Sequence, residues 1–209
     1  NAEGLERGFK NLDRHIRNMQ SYGQTVIVCF NRYAFDTDEE MALVAQHCAE
    51  LGVGFAENNA FCEGGSGAVE LANLVVKTID ENPSKPLQYL YEDTDSIRTK
   101  IEKVALNYYG AGKVTFQKAA LKMIERAEAL GYSNFPVCIA KTQYSISDKA
   151  ELKGAPVGWK LEVREVNLSA GAGFVIPVCG SIMLMPGLGK TPAALNIDLT
   201  DDGKIVGLH

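Results

Sequence analysis

Lys141, Thr142, Gln143, Tyr144, Ser145, Ser147 and Asp148 gather one cation, one carboxylate and five neutral hydrogen-bonding side chains within eight residues. They follow directly on the apolar stretch Pro136-Val-Cys-Ile-Ala140, which reads as a buried strand. An ammonium among hydroxyls and amides can hold a phosphate or a carboxylate. At the end of a strand in an α/β protein, such groups face the crevice where ligands dock. The same run also suits a hydrogen-bonded corner between strand and loop, and both readings stand on this stretch alone.

Two aromatics form a second constellation. Tyr33 lies just after the strand-like run Thr25–Phe30, and Phe61 lies just after the shorter run Val53–Ala56. Neighbouring parallel strands, about 4.8 Å apart, would bring both rings to one edge of a sheet. There they could sandwich a flat heterocycle, with each stacking contact contributing about 1 kcal/mol. Pattern alone favours the plainer reading, two loop aromatics covering a core.

Phosphate cradles are incomplete. Gly187-Leu-Gly-Lys190-Thr191 resembles the end of a Walker A loop, but Leu184 stands where the first glycine is needed and Pro192 follows. Gly110-Ala-Gly-Lys113 has Asn107 and Val114 at the deciding positions. Gly64-Gly-Ser-Gly67 opens a helix, where free amides could meet an anion. It also suits close strand–helix packing with an N-cap at Ser66. Asp36, Asp38, Glu39 and Glu40 read as a dipole-favoured first helical turn. No Ser-His-Asp set is readable, Tyr144 has no catalytic partner at a recognised spacing, and the three histidines are scattered. Catalytic residues are therefore unassigned, and no metal site is expected.

These groups need elements to position them. Leu5, Phe9, Leu12, Ile16 and Met19 recur at helical spacing and stop near Gly23. A strand at 25–30, a helix capped by Asp36 or Thr37 and stopped by Gly52, a strand at 53–56 and a helix from Ala68 follow in turn. That alternation predicts a parallel sheet. Asn82-Pro-Ser-Lys-Pro86 is the best break in the chain. Beyond it the pattern predicts helices at 96–109 and 116–130 with a short strand between them. A strand at 161–168 carries a one-residue slip suggesting a bulge. A strand at 174–179 and a turn at 200–203 between short strands complete the pattern, and Ile182 to Met185 is expected to continue the sheet. The fold class is thus α/β: a parallel-sheet portion over 1–87, then a smaller mixed α/β portion over 88–209.

The 209 residues, with 46% hydrophobic and 22% charged content, describe an ordinary globular chain. A net charge of −5 argues against a nucleic-acid partner that relies on phosphate neutralisation. No apolar run approaches the roughly 18 residues that cross a membrane. Cys29, Cys48, Cys62, Cys138 and Cys179 contain no CxxC pair and suit free thiols in the cytoplasm. Cys29, Cys138 and Cys179 are expected in the core. The opening Asn1-Ala-Glu-Gly lacks an initiator Met, so processing or a cut is expected.

Several stretches together carry a family resemblance. They are Asn11-Leu-Asp-Arg-His-Ile16, Val26–Asn31 with Asp36-Thr37, Gly64-Gly-Ser-Gly67 with Glu70-Leu-Ala72, and Tyr109-Gly-Ala111. Further on come Pro136–Asp148, Gly154-Ala-Pro156, Ser169–Phe174, Met185-Pro-Gly-Leu188, Pro192-Ala-Ala194 and Gly203–Leu208. In this register the chain resembles the C-terminal part of bacterial formate–tetrahydrofolate ligases.

The resemblance implies an enzyme of one-carbon metabolism that uses formate, tetrahydrofolate and ATP with Mg²⁺ and works as a cytoplasmic homo-oligomer, a tetramer in the family. It implies that the P-loop lies outside this stretch, so the fragment should be inactive alone. It places Tyr33 and Phe61 on either side of the pterin. It makes Gly154, Ala155 and Pro156 the adenine-side wall, and Lys141, Gln143 and Tyr144 lining of the cleft near the nucleotide. Lys141 is a candidate for phosphate or for a structural carboxylate. Phe61 stands where members commonly carry Trp, Glu63 where Lys or an apolar residue is usual, and Gly189 where Pro is usual. Two other readings remain: a stand-alone pterin- or nucleotide-binding module, and a ligand-free structural pseudoenzyme.

Overall fold

The structure is a computed structural model and describes residues 2–182 and 190–207. Helix α1 (Ala2–Ser21) carries Leu5, Phe9, Leu12 and Ile16 on one side and ends before Gly23, whose φ of +80° reverses the chain. Strands β1 (Ile27–Asn31) and β2 (Gly54–Asn58) run parallel, in register from Ile27 opposite Gly54 to Asn31 opposite Asn58. Helix α2 (Asp38–Glu50) connects them. Thr37 caps it reciprocally: its hydroxyl accepts from the Glu40 amide while the Glu40 carboxylate accepts from the Thr37 amide. One turn, α3 (Ala60–Glu63), and a 3₁₀ turn at Gly64–Ala68 then lead into α4 (Val69–Glu81). The expected N-cap at Ser66 does not form, because its hydroxyl donates backward to the Glu63 carbonyl at 2.7 Å.

The rest of the chain builds a mixed sheet. Helix α5 (Ile97–Lys103) is capped by Ser96 and gives way to a π turn at Val104–Tyr108, where the sequence pattern predicted one continuous helix. Strand β3 (Lys113–Phe116), helix α6 (Lys118–Ala129), β4 (Lys160–Ser169) and β5 (Phe174–Cys179) follow. The strand order is β3-β4-β5, with β3 parallel and β5 antiparallel to β4. The anticipated slip in β4 appears as a register shift between Val163 and Glu165. A small hairpin, β6 (Asp198–Leu199) and β7 (Ile205–Val206), closes around the expected turn. Residues 183–185 of the expected sheet extension lie outside the described residues, as do 187–189 of the Walker-like run.

Residues 136–140 lie alongside β5 as bridges at Val137 and Ala140, short of a continuous strand. The amides of Cys138 and Ala140 donate to Val175 and Pro177, and Val175 and Cys179 donate back to Pro136 and Ala140. The missing rung is the one Pro177 would have supplied to the Cys138 carbonyl, since proline has no N–H.

The core sits between α5, α6 and the mixed sheet: Ile97, Ile101, Ala120, Ile124, Leu161, Val163 and Val175 pack together there. Each such large aliphatic contributes about 1.5–3 kcal/mol on burial. Lys100 is fully buried beneath them, and its ammonium donates to the Ser133 and Phe135 carbonyls at 2.8 and 3.1 Å. Of the three cysteines expected inside, only Cys179 is; Cys29 and Cys138 are exposed. The parallel pair has too few layers over Cys29, and Cys138 lies on the outermost segment.

Helix α1 joins the two portions. On one side the Phe9 ring stacks on His47 of α2 at 4.0 Å, and His47 meets Asp13 at 2.6 Å. On the other, Asn11 donates to the Gly154 carbonyl at 3.0 Å and buried Asn18 to the Tyr108 carbonyl at 3.1 Å.

Candidate functional site

The parallel pairing of β1 and β2 delivers their C-terminal ends together. The Arg32 amide bonds the Asn58 carbonyl at 3.0 Å, carrying the pairing one residue past the strands. Arg32 then fixes the edge with its side chain, bonding Glu57 of β2 at 3.0 Å and Asp38 of α2 at 2.6 Å. Tyr33 is held next to it by its amide, which donates to the Asp36 carboxylate at 2.8 Å. Asn31 donates to the Tyr33 hydroxyl at 3.3 Å.

The two aromatics meet here. The Tyr33 and Phe61 ring centroids are 6.2 Å apart with planes inclined by 49°. The rings are 55% and 78% exposed, so their edges are free to turn. Inserting a flat heterocycle needs parallel faces about 7 Å apart, twice an optimal carbon contact. The spacing is therefore close, and the tilt must open by side-chain rotation, which the broad, roughly two-fold χ2 of an aromatic ring permits.

The glycine loop beside them does other work. A Cβ at Gly67 would stand 2.5 Å from the Asn59 carbonyl, so only glycine lets this turn close on β2. Glu57, Glu63 and Glu70 surround the adjoining hollow of about 200 Å³ with Asn59, Ser66 and Gly67. Three carboxylates repel an anion, which removes the phosphate role considered for Gly64-Gly-Ser-Gly67.

The polar run after residue 140 is largely bound to itself. Lys141 lies over the Tyr109 ring at 4.8 Å and donates to the Ser145 and Thr142 carbonyls. Its partners are thus carbonyls, with no carboxylate among them. The Ser145 hydroxyl donates to the Leu152 carbonyl and pairs with the Ser147 hydroxyl at 2.9 Å. Ser147 is fully buried. Burial pushes the Lys141 ammonium below its ordinary pKa, while the charges of Asp148 and Cys179 act the other way.

What remains open is a polar cavity of about 320 Å³. Lys141, Gln143 and Tyr144 line it together with Asn11, His15 and Asn18 of α1 and the Tyr108–Tyr109 pair. Gly154, Ala155 and Pro156 line a different hollow, about 670 Å³, against Glu3, Glu6, Arg7 and Lys10. The two groups do not share one cavity. Both lie along the polar stripe of α1, whose part went unnoticed in the sequence. The signal was available, since Asn11, His15 and Asn18 fall at i, i+4 and i+7 along the border of the apolar stripe.

A sequence model of the family described as formate–tetrahydrofolate ligase matches residues 1–209. The chain belongs to that family. Curated formate–tetrahydrofolate ligases of Bacteroides fragilis and Parabacteroides distasonis are 53% and 55% identical to it over 208 residues, all of this chain and 37% of theirs. That of Campylobacter concisus is 50% identical over 205 residues, 98% of this chain and 37% of its own. This member thus spans about 37% of the length of the ligases it matches.

Proposed function

We propose that this chain is part of an ATP-dependent ligase that joins formate to tetrahydrofolate, and that its main contribution is the folate site. In the complete protein, formate would attack the terminal phosphate of ATP to give formyl phosphate. A folate nitrogen would then take the formyl group and release phosphate. The observation that carries the folate role is the exposed Tyr33–Phe61 pair, 6.2 Å apart at the strand ends, in a member of a family named for tetrahydrofolate. Glu57 and Asp38, by gripping Arg32, keep the backbone beneath Tyr33 in place while the rings adjust.

The hollow at Gly154–Pro156 is proposed as the adenine side, and Lys141, Gln143 and Tyr144 as lining of the neighbouring cleft. Among the described residues no group of three or more His, Cys, Asp or Glu is placed to hold a metal.

Titration of tetrahydrofolate onto the chain, followed by calorimetry, tests the folate role. Tyr33→Ala and Phe61→Ala should each weaken binding about fivefold or more, the loss of a stacking contact of about 1 kcal/mol. Phe61→Trp should tighten it. Equal binding by all four proteins, or none by the parent, would sink the reading.

A further inference from the structure

Register places Asn31, the last residue of β1, directly opposite Asn58, the last of β2. Their carboxamides meet on one face of the pair, where Asn58 Nδ2 donates to Asn31 Oδ1 at 3.5 Å. Asn31 Nδ2 in turn donates to the Tyr33 hydroxyl at 3.3 Å, and Asn58 Oδ1 accepts from the Ala60 amide at 3.2 Å. Ala60 directly precedes Phe61. The amide pair therefore bridges the two ring-bearing segments, from the tip of the Tyr33 ring to the turn that carries Phe61.

These bonds run in one direction. A backbone N–H can be accepted here only by the amide oxygen, so Ala60 fixes which end of the Asn58 carboxamide faces it. Asn58 then turns its nitrogen to Asn31, whose own nitrogen is left for Tyr33. A carboxamide carries two hydrogens and two lone pairs. Among the described residues one of each is used on either side chain, which leaves one hydrogen and one lone pair apiece. Neither residue is buried and Asn31 is exposed, so these unused groups are open to a ligand.

We infer that Asn31 and Asn58 are specificity-determining residues, reading the edge of the heterocycle held between Tyr33 and Phe61. This rests on the folate reading proposed above and adds to it the part of the ligand that is recognised. Stacking tolerates any flat ring, because every such ring has a π-face. Hydrogen bonds to its edge discriminate. A lactam edge, a carbonyl beside a ring N–H as in the oxo-pyrimidine ring of tetrahydrofolate, accepts the free amide hydrogen on its oxygen and gives its N–H to the free lone pair. An amine in place of that carbonyl sets hydrogen against hydrogen. The amides cannot turn over to suit it without breaking the bonds to Ala60 and Tyr33. The ligand class is thus a flat lactam.

Calorimetric titration of the chain with tetrahydrofolate and, separately, with its 4-amino-4-deoxy analogue tests it. The parent should bind tetrahydrofolate at least about fivefold more tightly, the worth of one exposed hydrogen bond. Asn31→Leu should bring the two affinities together, whereas Phe61→Ala should weaken both alike and keep their ratio. Should Asn31→Leu fail to fold, as read by circular dichroism, Asn58→Asp takes its place. That variant keeps an oxygen for Ala60 and loses the hydrogen that orients Asn31. A parent that binds neither compound sinks the folate reading and this inference together. Binding of both with the same preference in parent and variant, or with no preference in the parent, overturns the inference and leaves the folate reading standing.

Discussion

Burial has set two side chains against alkali. The Cys179 thiol and the Tyr109 hydroxyl are each pushed up to about 12, in both cases mainly by desolvation. The unfolded chain would release these protons near pH 9 and pH 10, their ordinary values. Across the window up to about 12 the folded state therefore binds more protons than the unfolded state, and stability falls as pH rises. Lys100 and Lys141 are shifted downward by burial and work in the opposite sense below their ordinary 10.5. The expected outcome is a melting temperature that declines above about pH 9. In Cys179→Ala the onset should move toward pH 10, where Tyr109 takes over. A parent profile flat to pH 11 would contradict this.

Elements decided which sequence signals survived. Strand β4 was legible down to its bulge, because alternation breaks visibly when one extra residue enters a strand. A helix start at Asp36 or Thr37 and the turn at 200–203 were legible as well, since they depend on residues four or fewer apart; that Thr37 is the cap, with Glu40 reciprocating, shows only in the structure. The π turn after α5 was not, because Val104–Tyr108 fits ordinary helical spacing and the wider turn shows only in the Tyr109 amide reaching back to the Val104 carbonyl. The polar run at 141–148 was visible as a cluster, but its inward bonding depends on a fold-back to Leu152 that spacing does not encode. The glycine turn gives a direct test of element packing. Gly67→Ala should destabilise by about 1–3 kcal/mol, the usual cost of overpacking, because its Cβ meets the Asn59 carbonyl. Chemical denaturation with an unchanged midpoint would show that the turn relaxes instead.

At the scale of the molecule, helix α1 is bonded both to α2 and to the loops at Tyr108 and Gly154. Asn18 is 5% exposed and satisfies the Tyr108 carbonyl. Removing the amide leaves that carbonyl unpaired, so Asn18→Ala should cost about 1–3 kcal/mol in urea denaturation. A loss below about 0.5 kcal/mol would mean that water replaces the bond and that this side of the helix is held by Asn11 and the Gly154 carbonyl instead. The family was legible in the sequence as a set of short stretches in one register. The placement of Lys141, Gln143 and Tyr144 in one cavity, and Gly154–Pro156 in another, required the position of α1.

The proline in β5 has a mechanical consequence. With its rung to Cys138 gone, the segment 136–140 is a zip with one tooth missing, its four other rungs on β5 and its outer side tied by the Val137 amide to the Tyr91 hydroxyl. It lies at the edge of the mixed sheet beside β5 and runs straight into the loop that carries Lys141. Local opening at the missing rung would therefore be felt directly at a cavity wall. The cavity can then widen or narrow while β3, β4 and β5 stay closed.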